Sequence, residues 1–176
     1  MRAFDLTGPL PGTTSLLEAS AGTGKTYAIA ALTTRFIAET PGLDITRVLL
    51  ITFGNSAAAE LRTRVFERLV RTLRRLEAHL AGLPMYLASD DPDAVDDLLA
   101  SHDAEVHRDR IAAALRRFSE THILTIHAFC ESLLLELGVL GDWDPRSGSA
   151  PTTPNSAGSA PPTRTCGSTV TMRPRR

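Results

Sequence analysis

The run Ala19-Ser20-Ala21-Gly22-Thr23-Gly24-Lys25-Thr26 constrains this chain more than any other stretch. A Gly-rich turn ending in Lys-Thr has the form of a loop that wraps nucleotide phosphates, and it requires a strand before it and a helix after it. Each residue type has a task. Gly22 and Gly24 permit backbone angles closed to other residues and let the chain approach phosphate, whose charge is met by backbone N–H groups at a helix N-terminus. Lys25 would reach the β- and γ-phosphates of ATP, and the Thr26 hydroxyl would bind the accompanying Mg²⁺. The pattern departs from its general form only at Ala19, where a Gly is usual. A Gly-rich structural turn without ligand is the competing reading.

The flanking residues supply the required context. Ser15-Leu16-Leu17-Glu18-Ala19 reads as a short buried strand, and the apolar-rich stretch from Lys25 to about Glu39 reads as a helix ended by Pro41-Gly42. Val48-Leu49-Leu50-Ile51-Thr52-Phe53 is continuous rather than alternating, which predicts a parallel strand buried on both faces. Strand, helix and strand make a βαβ unit, so the expected class is α/β, a parallel sheet with flanking helices.

From Ser56 the pattern becomes helical, with Leu61, Val65, Leu69, Leu73, Leu76 and Leu80 on one stripe. Arg62, Arg64, Arg68, Arg71, Arg74 and Arg75 mostly fall on the other faces. They read as a solvated surface partly paired with Glu60 and Glu67, or alternatively as a nucleic-acid track. Gly82 and Pro84 end this helix. The acidic cluster Asp90, Asp91, Asp93, Asp96 and Asp97 opens the next helical segment, where capping is favoured over metal binding. Ile111, Leu115 and Phe118 mark a further helical stripe. Ile123-Leu124-Thr125-Ile126 reads as a third strand and Ala128 to Leu137 as a helix ended by Gly138.

Charge and composition divide the chain near residue 144. Residues 1–144 carry 14 Lys and Arg against 20 Asp and Glu, a net −6, whereas residues 145–176 carry five Arg and no acid. The front part therefore makes no case for nucleic acid from charge alone. Residues 145–176 hold six of the 11 prolines, eleven Ser or Thr, and no Leu, Ile, Phe, Tyr or Trp. Such a segment buries too little apolar surface to offset its ordering entropy, so a disordered tail is expected. Cys130 and Cys166 lack the spacing of a zinc site and read as free thiols, Cys130 as a small core residue. No apolar run approaches membrane-span length and no export signal opens the chain, which points to the cytoplasm.

Three segments together resemble the start of a superfamily 1 DNA helicase of the UvrD type, and within it the exodeoxyribonuclease V beta-subunit (RecB) family. The first is Leu17 through Thr26, where Ala at position 19 is normal for the family. The second, Ile51-Thr52-Phe53-Gly54-Asn55-Ser56-Ala57-Ala58-Ala59-Glu60-Leu61-Arg62, is similar to motif Ia. The third, Thr125-Ile126-His127-Ala128-Phe129-Cys130, is similar to motif Ib. The resemblance covers residues 4–144 and implies a P-loop NTPase domain of RecA-like type with a helical insertion at about 82–120. It also implies ATP and Mg²⁺ as cofactors, and motifs Ia and Ib lining a path for single-stranded DNA. Thr52, Phe53, Asn55, Thr125 and His127 are then the candidate DNA contacts; small polar side chains hold phosphates and aromatic faces stack bases. Position 54 is Gly where the family often has Thr. By residue chemistry alone Phe53 and His127 are equally readable as core residues. RecC- or RecD-like subunits are the implied protein partners.

The family's acidic Walker B motif, its γ-phosphate arginines and its second motor domain find no match here. The nearest acidic pair, Asp96-Asp97, lies in a helical pattern. The expectation is an ATP-binding front without turnover, in a truncated or frameshifted product; a non-catalytic module that binds single-stranded DNA or a partner is the alternative.

Overall fold

The computed structural model describes residues 4–18, 22, 24–87 and 90–138. Ala19, Ser20, Ala21, Thr23, Cys166 and the whole of the 145–176 segment lie outside the described residues. In chain order the elements are α1 (Lys25–Glu39), β1 (Leu49–Thr52), α2 (Asn55–Leu80), α3 (Ala94–Ser101), α4 (Ala104–Arg116), β2 (His122–Thr125) and α5 (Ile126–Glu136). Short 3₁₀ turns at Ile45–Arg47 and Phe118–Glu120 lead into the two strands.

Three helices, α1, α2 and α4, pack on one another and carry most of the core. The face of α1 that meets them is made of small residues: Ala30, Ala31 and Ala38 are buried beside Ile37, which lets neighbouring backbones come close. On α2 the apolar stripe behaves as its spacing predicts. Leu61, Val65, Leu69 and Leu76 are buried, Leu73 packs against the core edge, and Leu80 is exposed at the helix end. That helix stops in a Schellman turn: Gly82, at φ +69°, donates to His79 O at 3.0 Å and Leu83 donates to Ala78 O at 2.9 Å. Arg35, 3% exposed, ties the N-terminal segment down by donating to Leu6 O (2.6 Å) and Gly8 O (2.7 Å) while pairing with Glu39.

The sheet among the described residues has two parallel strands, with Leu49 opposite His122 and Thr52 opposite Thr125. The connection between them runs through α2, α3 and α4. Leu50 and its partner Ile123 face the helical core. The expected first strand at 15–19 is not formed: Ser15–Glu18 is irregular, with Leu16 85% exposed, and Ala19 is not described. An extended segment becomes a strand only through a ladder, and Ser15–Glu18 pairs with neither β1 nor β2. Burial of β1 on both faces is also corrected. Leu49 and Ile51, on the face opposite Leu50, are 42% and 43% exposed.

The arginine face of α2 departs most from the sequence expectation. Arg68 and Arg75, expected in solvent, are 1% and 8% exposed. They converge on the acidic cluster, because positions 68, 72 and 75 lie on one stripe of α2 and positions 93 and 96 lie one turn apart at the start of α3. Asp96 is fully buried; it accepts from Arg68 (3.1 Å), from the Thr72 hydroxyl (2.7 Å) and from Arg75 (2.5 Å). Asp93 caps α3 as expected, accepting from the backbone N–H groups of Val95 and Asp96, and it also takes a bidentate pair from Arg68. Arg75 stacks over the Tyr86 ring at 4.6 Å.

Removing one partner of a buried ion pair strands the other in a low-dielectric interior, which costs about 3–5 kcal/mol. Asp96→Ala is therefore expected to lower the urea unfolding free energy by about that amount. Asp109→Ala, which breaks the exposed Arg108–Asp109 pair, should change it by less than about 1 kcal/mol. Equal effects of the two substitutions would contradict this account of the fold.

Candidate nucleotide-phosphate site and strand ends

Helix α1 begins directly at Lys25. Its N-cap, Gly24, sits in the left-handed region at φ +86°, and Gly22 at φ +77° does likewise. A Cβ at either position would meet nothing within 4 Å, so glycine is demanded here by backbone conformation and not by crowding. The N-cap supplies no side-chain acceptor and the first turn carries no acid. Helix α3 is capped by Asp93 and α5 by Thr125, whereas the first amides of α1 face outward with the positive end of the helix dipole. This is the arrangement that receives phosphate.

A cleft of about 560 Å³ opens in front of this turn, lined on one side by Gly22, Gly24, Lys25 and Thr26 and on the other by the charged stripe Glu60, Arg64, Glu67, Arg71 of α2. Tyr27 and Arg68 also line it. Lys25 is exposed and Thr26 is half-buried at the cleft edge. The volume and the polar lining suit a nucleotide's phosphates, and a threonine hydroxyl in the first turn suits one ligand position of a phosphate-bound Mg²⁺. Of the predicted loop, the structure thus brings Gly22, Gly24, Lys25 and Thr26 to one cleft; Ala19, Ser20, Ala21 and Thr23 are outside the described residues.

Tyr27 was not among the residues that the sequence singled out. Its hydroxyl donates to Asp93 at 2.8 Å, and the Arg68 guanidinium lies 5.5 Å from its ring centre. Burial raises the Tyr27 phenol, reinforced by Asp93, and burial with help from Asp97 pushes the Tyr86 phenol up to about 12, so both stay donors at neutral pH. For Asp93, burial would raise the carboxyl, but the hydrogen bond and charge of Arg68 outweigh it and hold it well below the usual carboxylate range. A readable signal did exist: basic residues at 68 and 75 facing acids at 93 and 96 match in stripe spacing.

The other candidate contacts gather at the carboxyl ends of the two strands, where open parallel sheets place their ligands. Thr52 and Thr125 are register partners. Just beyond them stand Phe53, 88% exposed, Asn55, exposed at the first position of α2, and His127, exposed on the first turn of α5. The core readings of Phe53 and His127 are therefore overturned. Thr125 is 8% exposed and its hydroxyl accepts from the Ala128 N–H at 3.2 Å, capping α5. Cys130 is exposed, not a core residue. No cluster of three or more His, Cys, Asp or Glu able to hold a metal occurs among the described residues, and no described helix is long and apolar enough to cross a membrane.

The UvrD/REP helicase N-terminal domain description matches residues 7–148. The chain belongs to that family. Its relatives include the RecBCD enzyme subunit RecB of Mycolicibacterium smegmatis, 45% identical over 150 residues that cover 82% of this chain and 13% of that protein. The RecBCD enzyme subunit RecB of Mycobacterium tuberculosis is 44% identical, covering 81% of this chain and 12% of that protein. The RecBCD enzyme subunit RecB of Escherichia coli is 33% identical over 72% of this chain and 10% of its own length. The chain thus spans only 10% to 13% of the length of these relatives, and the family match takes in the phosphate loop and both strand ends.

The lowered Asp93 carboxyl makes stability depend on pH in one direction. A carboxylate held below its unfolded value contributes fully above about pH 4 and loses that contribution as pH falls further. Asp93→Asn keeps a competent helix cap while removing the charge. Wild type should therefore exceed this variant in urea midpoint at pH 7, and the gap should narrow progressively as pH falls below about 4. A gap that stays constant over that range would show that the charge of Asp93 is not what Arg68 stabilises.

Proposed function

We propose that this chain is the ATP-phosphate-binding front of a RecA-like helicase motor of RecB type. In a full-length relative this part would couple ATP hydrolysis to movement along single-stranded DNA during double-strand-break repair and recombination. The observation that carries the reading is the placement of Lys25 and Thr26 at an uncapped helix start, behind a left-handed glycine and facing a cleft of nucleotide-phosphate size. Lys25 is assigned to the β- and γ-phosphates and Thr26 to Mg²⁺, with the backbone from Ala19 to Thr26 as the phosphate cradle. Mg²⁺ would bridge the phosphate oxygens and offset their charge; the residues of this chain bind and orient.

Binding without turnover is the second part of the proposal. Phosphoryl transfer depends on positioned cations in the transition state, where one arginine is worth ~10³ to 10⁵ in rate. The remaining length of the relatives is where a second motor domain would supply them, together with surfaces for RecC- or RecD-like subunits. The cytoplasm is the compartment that such work implies.

A second reading, a non-catalytic module on single-stranded DNA or a partner, draws support from Phe53. A phenyl ring 88% exposed beside Asn55 and His127 is a stacking platform whether or not ATP is turned over. DNA contact at Thr52, Phe53, Asn55, Thr125 and His127 is common to both readings.

Lys25→Ala should weaken Mg-ATP binding by calorimetry more than about tenfold, while steady-state hydrolysis by the 176-residue chain stays at background; clear turnover would refute the incomplete-site proposal. Fluorescence anisotropy with labelled oligo-dT should show binding at low salt that falls as salt rises. Phe53→Ala should weaken it by about 1–3 kcal/mol, and an unchanged affinity would remove the strand ends as the DNA path.

A further inference from the structure

The first turn of α1 has no side-chain cap at its N-cap residue, yet it carries a tether to another part of the fold. Tyr27 follows Lys25 and Thr26 directly, and its hydroxyl reaches 66 residues along the chain to Asp93. Asp93 is itself fixed three ways. It accepts from the first amides of α3, it is clasped by the buried Arg68, and its backbone carbonyl receives the Tyr86 hydroxyl at 3.0 Å. Arg68 in turn both lines the phosphate cleft and holds Asp96. One carboxylate thus joins the start of α3 to the turn that carries Lys25 and Thr26.

We propose that Tyr27 and Asp93 form a positioning pair that sets the aim of the phosphate-binding turn, so that the seating of α3 controls nucleotide affinity. This rests on the reading of Lys25 and Thr26 as phosphate ligands. Orphan amides bind an anion only when they point at it together, and a helix start without a side-chain cap frays readily. The phenol bond fixes the rotation of that turn against α3. Tyr27 lines the cleft and Asp93 does not; the role assigned to the pair is to hold the turn that carries Lys25 and Thr26. Coupling is reciprocal: nucleotide seated on the turn must steady α3 as much as α3 steadies the turn.

The test uses the full 176-residue chain with Mg-ATP as the probe. Tyr27→Phe removes one hydroxyl and should raise the calorimetric Kd about three- to tenfold, the net worth of one hydrogen bond. Ile111→Val trims the buried core on α4, outside the cleft lining and the Asp93 network; it should leave the Kd unchanged while lowering Tm. Hydrogen exchange supplies the reciprocal readout. Mg-ATP should slow exchange in the peptide spanning residues 93–101 of the wild type, and this protection should vanish in Tyr27→Phe.

Lys25-dependent binding that is indifferent to Tyr27→Phe, or equally weakened by Ile111→Val, overturns the positioning pair and leaves the phosphate site standing. Binding that ignores Lys25→Ala removes the phosphate site and the pair with it. Protection of residues 93–101 that survives in Tyr27→Phe shows that α3 is linked to the cleft by another route and also overturns the pair.

Discussion

Asp96 is a carboxylate with no exposed surface, surrounded by two guanidinium groups and a threonine hydroxyl. A buried charge of this kind is tolerated only with its partners in place, so α3 has one acceptable seat on α2. The apolar core does not impose the same precision. It is rich in alanine on α1 and in simple aliphatic side chains on α2 and α4, which pack without strong preference for register. The ionic cluster fixes the register, and through Asp93 and Tyr27 it extends to the first turn of α1. The geometry of the phosphate cleft therefore depends on an interaction whose nearest charge lies far along the chain from the loop itself.

The sheet plays a smaller part than the helices. Two four-residue strands are joined by a long helical crossover, and one face of β1 is only partly covered. The sheet still organises the second candidate surface. Parallel register brings Thr52 beside Thr125, and the chain leaves both strands at the same end. Phe53, Asn55 and His127 consequently share one edge although more than 70 residues separate the two segments. Nucleotide cleft and strand ends both border α2, which carries Asn55 at its first position and the Arg64 and Arg71 stripe further along.

Local periodicity made the helices legible. The leucines of α2, the Pro-Gly break after α1 and the glycine past α5 each report a local constraint, and the structure agrees to within a residue or two. Lys25 and Thr26 were legible for the same reason, since a Gly-rich turn entering a helix is defined within eight residues. The strand at 15–19 was read from an apolar run, but a strand exists only through its ladder, and no described strand edge pairs with it. Arg68 and Arg75 were misread because helical spacing names a face without saying what lies opposite. The partner was a cluster of aspartates more than 20 residues away, whose capping role was recognised and whose ion pairing was not. Cys130 failed likewise: an apolar helix predicts burial only if something packs on it.

The amino-acid sequence by itself determined the helices, the family and the glycine turn that opens α1, because each rests on residues close together whose chemistry or spacing is self-sufficient. Only the tertiary structure decided which arginines are buried, that Phe53 and His127 stand in solvent, and that Tyr27 is bound to Asp93. Those outcomes depend on which surfaces meet in space. A charge becomes a core residue when its counter-charge arrives with it, and an aromatic ring stays outside when nothing arrives at all.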